Sequence, residues 1–312
     1  MEMFLVTLNI VLPIFLVMAS GYASKQLGLV SAEVVSGMNK LTFRLFLPLS
    51  LMRSLMNVSP ESFVNGRVLA FGALGTVAVA AIAFCIVPRF VKDNARRGVM
   101  IQGLFRSNYA IFGIPLCEAL FPQGDGGIAA MMVIATVPLF NVLGVISLEV
   151  YRGGQIHPKK ILKGICTNPL IWGCLIGFVL MQLRIQLPEF LQSTIGKLAG
   201  IASPLALFVL GASINLSALG GNRRALAWMS LGRLVIVPVL ALALAYAMGF
   251  RGAEFASLMI AFGSPCAVSS YTMAAQMGGD AELAAQQVML TTVLCSLTMF
   301  VMIYLFKSMG IF

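Results

Sequence analysis

Apolar residues run in long blocks along the chain, and polar positions gather in short gaps between them. The block lengths and breaks predict helices near 4–24, 34–56, 66–88, 98–120, 127–149, 161–183, 189–214, 223–249, 253–276 and 281–307. A hydrocarbon core of about 30 Å, crossed at about 1.5 Å per residue, needs about 20 apolar residues. The blocks therefore read as ten membrane spans with no room for a soluble domain between them, and the fold class expected is an all-α integral membrane protein.

Two blocks are interrupted in a way that a plain anchor is not. In IQGLFRSNYAIFGIPLC, residues 101–117, the side chains of Arg106, Ser107, Asn108 and Tyr109 stand inside the apolar run and are followed by Gly113, Ile114 and Pro115. The ninth block carries AFGSPCAVSSY at 261–271, with Ser264, Pro265 and Tyr271. An unpaired backbone amide in hydrocarbon costs several kcal/mol, so such a break persists where it is packed in protein or lines a wet cavity. A broken helix bares N–H groups at the start of one half and carbonyls at the end of the other, which favour anions and cations respectively.

The breaks fall at matching places in two halves. RVLAFGALG at 67–75 aligns with RALAWMSLG at 224–232 at an offset of 157, and Lys40-Leu41 matches Lys197-Leu198 at the same offset. Pro48-Leu49 matches Pro204-Leu205 one residue closer, and Asn57-Val58-Ser59 resembles Asn215-Leu216-Ser217. The halves expected are 1–150 and 161–312, five spans each, joined by a basic linker at 151–160. An odd number of spans inserts the second half upside down, so the prediction is two inverted repeats whose fourth spans, broken at Pro115 and Pro265, cross at mid-membrane. Pro13, Pro138 and Pro238 read as simple kinks, and Pro48 and Pro204 as kinks that shape a cavity wall.

Composition and charge narrow the chemistry. The chain has 312 residues, 59% hydrophobic and 10% charged, too few charges to cover a soluble surface of this size. Its net charge of +10 follows the membrane topology instead of nucleic acid: with the N-terminus outside, eleven loop Lys and Arg fall on one side and five on the other. Both termini are then expected outside, with the basic loops 89–97 and 150–163 cytoplasmic. Of the deeper cations, Arg44, Lys197 and Arg233 read as snorkelling side chains. Arg106, beside Ser-Asn-Tyr and the break, is the candidate partner for a substrate carboxylate. No Asp or Glu sits mid-span, the nearest acids are Glu118 and Glu149, and the one histidine is His157 in the basic loop, so a proton relay is poorly supported. The six cysteines form no CxxC pair and read as reduced packing residues, with no metal or cofactor expected. There is no GxSxG, HExxH or glycine-rich phosphate loop, so no enzyme is expected.

The segments NYAIFGIPL at 108–116, PLFNVLG at 138–144, NPLIWG at 168–173, SPLALFVLGASI at 203–214 and SPCAVSSYTMAAQMGGDAELAAQQVMLTT at 264–292 resemble the auxin efflux carrier family of membrane transporters, whose bacterial members include malate and malonate carriers. The resemblance implies ten spans in inverted repeats, crossover helices, and a carboxylate site formed around Asn108, Asn141 and the two prolines. It also implies a scaffold of spans one, two, six and seven, a mobile part made of the rest, homodimers, and residence in a bacterial cytoplasmic membrane. The long central loop of plant members is missing, and nothing here points to an indole substrate.

The expected function is secondary transport of a small organic anion, a mono- or dicarboxylate such as malate or malonate, by an elevator-like alternating-access cycle. The coupling ion, Na+ or H+, is left open. The alternatives are a sodium-coupled symporter of the bile-acid transporter type and an anion receptor or channel without turnover.

Overall fold

The computed structural model describes residues 2–56, 66–109, 112, 116–117, 120–121, 126–152, 158–214 and 219–312. These residues are nearly all helical: α1 (Glu2–Gln26), α2 (Ala32–Leu41), α3 (Leu47–Met56), α4 (Gly66–Phe90), α5 (Asn94–Phe105), α6 (Gly126–Val150), α7 (Pro158–Cys166), α8 (Pro169–Gln182), α9 (Glu189–Ser213), α10 (Leu219–Leu231), α11 (Val237–Ala247), α12 (Gly252–Gly263), α13 (Ser269–Met277) and α14 (Ala281–Ser308). Among them no strand forms. Gly66–Phe90, Glu189–Ser213, Gly221–Ala247 and Ala281–Ser308 are each long and apolar enough to cross a membrane, matching the third, seventh, eighth and tenth predicted blocks.

Two connections inside the bundle are widened turns. Thr42–Phe46 joins α2 to α3 and Gly232–Ile236 joins α10 to α11, each closed by a hydrogen bond reaching five residues back, from Leu47 N–H to the Thr42 carbonyl and from Val237 N–H to the Gly232 carbonyl. Each precedes a proline, Pro48 or Pro238. A proline ring inside a helix clashes with the carbonyl four residues back and lacks an N–H, and a π-turn opens the backbone at that point. Pro238, expected as a simple kink, is thus the reason that α10 and α11 meet through a wider loop.

The sixth block divides where one span was expected. Its basic first part is α7, which begins inside the segment assigned to the linker, and α8 starts only at Pro169. Asn168 precedes proline and is held extended, and its side chain accepts a hydrogen bond from Leu170 N–H at 2.9 Å, capping α8. Asp280 caps α14 in the same way, accepting from Leu283 N–H at 2.9 Å, as its place before Ala281-Glu282-Leu283 predicts.

Packing brings α1 onto α9, and α3 onto both α8 and α9. The backbones approach closely there because glycine faces the neighbour. A Cβ on Gly21 would lie 2.0 Å from the Phe208 carbonyl oxygen, and one on Gly211 would lie 1.9 Å from that of Met18. At the other contact, a Cβ on Gly173 would lie 2.5 Å from the Pro48 carbonyl oxygen, and one on Gly177 2.7 Å from that of Met52. A second set of helices packs among itself: α4 with α5 and α6, α5 with α6, α11 with α12, and α14 with α10 and α13. The last helix, α14, also rests on α1.

Without a hydrophobic force between helices in lipid, association rests on such close contacts. Gly211→Ala is expected to push α1 from α9 and lower the stability of the detergent-purified protein by about 1–3 kcal/mol, the usual range for overpacking. Gly200→Ala in the same helix, where a Cβ meets nothing within 4 Å, is the control, and equal melting temperatures for both variants would count against this packing.

Candidate functional site

The two interrupted helices meet at their breaks. α5 ends at Phe105 and α12 at Gly263, and the extended backbones that follow pair as an antiparallel bridge between Ser107 and Cys266. Asn108 N–H donates to the Pro265 carbonyl at 2.9 Å, and Ala267 N–H donates to the Arg106 carbonyl at 3.2 Å. Each break thereby supplies main-chain partners that the other lacks. Cys266 N–H finds the Thr291 hydroxyl on α14 at 3.1 Å. The first break thus opens at Arg106, before the Gly-Ile-Pro run predicted to cause it. Gly113, Ile114 and Pro115 lie outside the described residues, as do Glu118 and His157.

Arg106 is buried at the junction, 1% exposed. Its Nη2 donates to Asn141 Oδ1 at 2.7 Å and to Ser269 Oγ at 2.8 Å, and its Nη1 reaches Gln102 Oε1 at 3.4 Å and also contacts Met273 Sδ. Asn141 is oriented by donating its amide to the Val137 carbonyl at 2.8 Å. One turn further along α6, a Cβ on Gly144 would come within 3.1 Å of Arg106 Nη1, so PLFNVLG provides both an acceptor and the space for a guanidinium. All these partners are neutral. The ion pairs among the described residues, Arg96 with Asp280 and Arg152 with Glu149, lie elsewhere. Ser269 opens α13, so Arg106 adds its charge to the positive end of a helix.

The other expected residues divide. Asn108 is 6% exposed, and its side-chain Nδ2 has no hydrogen-bond partner among the described residues. The hydroxyls of Ser107 and Ser264 are likewise unpaired there. Tyr109 turns into the packed interior, where its hydroxyl meets Ser257 Oγ at 3.4 Å on α12, away from the Arg106 cluster. Pro265 belongs to the bridge itself. Tyr271 points out of the junction, donates its hydroxyl to Ser213, and lines a cavity of about 240 Å³ with Lys25, Ser36, Asn39 and Gln276. That cavity separates the ends of α1, α2 and α9 from α13. Asn39 is buried in its wall with Oδ1 unpaired among the described residues.

Arg233 corrects one expectation. It does not snorkel: it is 1% exposed and donates inward, from Nε to the Ser264 carbonyl at 2.9 Å, from Nη1 to those of Leu104 and Phe105 at 3.1 and 3.2 Å, and from Nη2 to that of Ala261 at 3.2 Å. Gly232 beside it admits α5, since a Cβ there would lie 2.5 Å from Leu104 Cδ2. Arg44 and Lys197, by contrast, are exposed on the outside of the bundle. Gln102, Asn39 and Met273 carry no sequence signal strong enough to mark them alone. Gln102 and Arg106 stand four apart in one helical register, the one local signal that joins any of them to the break.

Comparison with known proteins finds relatives along nearly the whole chain. A protein in Methanothermobacter thermautotrophicus described as an "Uncharacterized transporter" is 24% identical over 91% of this chain and 93% of its own length. A second "Uncharacterized transporter", from Methanocaldococcus jannaschii, is 22% identical over 92% of this chain and 95% of its own. A protein of Rhizobium meliloti named "Putative malonate transporter" is 24% identical over 96% of each chain. The family model described as "Membrane transport protein" matches residues 6–303. The chain therefore belongs to the membrane transport protein family, that of the auxin efflux carriers.

Proposed function

We propose that this protein is a secondary transporter of small organic anions, mono- or dicarboxylates such as malonate or malate, working by alternating access at the paired breaks. The observation that carries the reading is Arg106: a permanent cation, fully buried, held among the described residues by neutral groups alone, beside the N-terminal end of α13. A buried charge without a counter-ion is unfavourable, and a carboxylate arriving at that point supplies the missing partner. The unpaired Nδ2 of Asn108 offers a further donor. The malonate in the name of the Rhizobium meliloti relative is in keeping with an acyclic dicarboxylate.

On this reading the chain has ten spans in two inverted five-span halves, with crossover helices in the fourth and ninth. Helix pairing supports it. If spans one and six are mates, and two and seven, the contact of α1 with α9 is the counterpart of that between α8 and α3. The contacts of α4 with α6 and of α10 with α14 form another such pair. Spans one, two, six and seven then act as the scaffold. The remaining spans carry Arg106, Asn108, Asn141, Ser264 and Pro265 past it, with Tyr271 and the cavity lying at the boundary between the two. Tyr109 belongs to the packing of the same break. The reading further places the chain as a homodimer in a bacterial cytoplasmic membrane, both termini outside.

The protein in liposomes should take up labelled malonate with saturation, and a current that rises linearly with concentration would identify a channel instead. Arg106→Gln is expected to lower flux tenfold or more, since a hydrogen bond to a charged group contributes about 1.5–3 kcal/mol and about 1.4 kcal/mol is a decade. Unchanged flux in that variant would remove Arg106 from the site. Asn108→Ala should raise the malonate concentration for half-maximal flux, and Tyr109→Phe should leave it unaltered, because among the described residues the Tyr109 hydroxyl reaches only Ser257; an equal rise in both variants would contradict the geometry.

A further inference from the structure

Arg233 reaches the junction from the turn Gly232–Ile236, shares none of the side-chain partners of Arg106, and has no part in the proposed anion site. Its guanidinium gathers four main-chain carbonyls, two from the last turn of α5 and two from the end of α12. These are the acceptors that an ending helix leaves without a partner. Each C-terminus is equivalent to roughly half a negative charge, so two converging ends present roughly one, which a single guanidinium balances. Converging carbonyls at the ends of interrupted helices are also the donor type that holds Na+ in carriers whose helices break at mid-membrane.

Here the protein fills that place with its own side chain. The widened turn Gly232–Ile236 carries Arg233, and Gly232 brings it against the end of α5. No carboxylate among the described residues forms an ion pair with Arg233 or Arg106, and the four carbonyls that converge from the two helix ends already accept from Arg233. We propose that Arg233 is a built-in substitute for a coupling cation, and that the transport cycle of this protein is independent of sodium. Arg233 is a positioning residue: it holds the two helix ends together through both halves of the cycle and leaves the anion site to Arg106. The flux arm of the test rests on the carboxylate reading; the stability arm does not.

The stability arm compares thermal unfolding of the detergent-purified protein in sodium chloride and in N-methylglucamine chloride at equal ionic strength. Equal midpoints are expected, and a saturable stabilisation by sodium would overturn the proposal. Arg233→Gln is expected to melt earlier and to be restored in part by guanidinium at millimolar, non-denaturing concentration, or by sodium, but not by N-methylglucamine. A variant as stable as the parent and indifferent to all three would also overturn it. If Arg233→Gln yields no folded protein, the parent's response to sodium and the Arg233→Lys variant, expected to fold and to stay sodium-indifferent, decide the matter. In liposomes, labelled malonate flux should agree within twofold with and without sodium, and a tenfold stimulation would refute sodium independence. Absence of malonate flux in either salt would instead remove the proposed substrate, and the role of Arg233 would then be decided by the melting data.

Discussion

Two helices that stop inside a dry bundle leave carbonyls and amides that neither water nor lipid can satisfy. At this junction the extended backbones pair with each other through Asn108 and Ala267 N–H, and Arg233 takes up the carbonyls of Leu104, Phe105, Ala261 and Ser264. The rest of the structure follows from keeping this arrangement closed. α10 must approach α5 closely enough for Gly232 to touch Leu104, and the turn before Pro238 must open to aim the guanidinium inward. α14 contributes Thr291 to the Cys266 amide, which the bridge itself does not pair.

The junction is electrically two-sided. On the carbonyl side Arg233 is matched by helix C-termini, which balance its charge locally. On the amide side Arg106 faces Asn141, Ser269 and Gln102, none of which is charged, and the N-terminus of α13 adds to its field. Arg106 directly follows the Leu104–Phe105 end that Arg233 binds, yet the two buried cations have different roles, set by which end of which helix each one meets. On the carboxylate reading, this asymmetry is what would draw an anion to Arg106 and not to Arg233.

Around this centre the helices associate by two physical means. α1, α3, α8 and α9 meet through glycines laid on carbonyls, at Gly21, Gly211, Gly173 and Gly177, with little polar chemistry between them. At one end of the other set a polar chain links α5, α10 and α14: Arg96 to Asn222 at 2.8 Å, Asn222 to Gln286 at 2.8 Å, and Gln286 to Glu282 at 3.1 Å. The cavity lined by Lys25, Asn39 and Tyr271 lies at the seam.

Much of this was legible in the sequence because it is local. Apolar run length predicted a helical membrane protein, Asp280 announced its own helix, and the Ser-Pro at 264–265 marked one break, whereas the other was expected at Pro115 and opens earlier, at Arg106. PLFNVLG supplies a buried acceptor to Arg106, and NPLIWG starts a helix inside what reads in the sequence as one continuous span. What a chain pattern cannot supply is which distant group satisfies a bare one. Arg233 is 128 residues from Phe105 and 31 from Ser264, and only the packing of three helices turned a residue that looked like a snorkelling cation into the cap of two helix ends. For the same reason Tyr109, next to Asn108 in sequence, faces Ser257 and not the guanidinium of Arg106. Hydrophobic length fixes the element, whereas the partner of a buried charge is decided by where the other elements end.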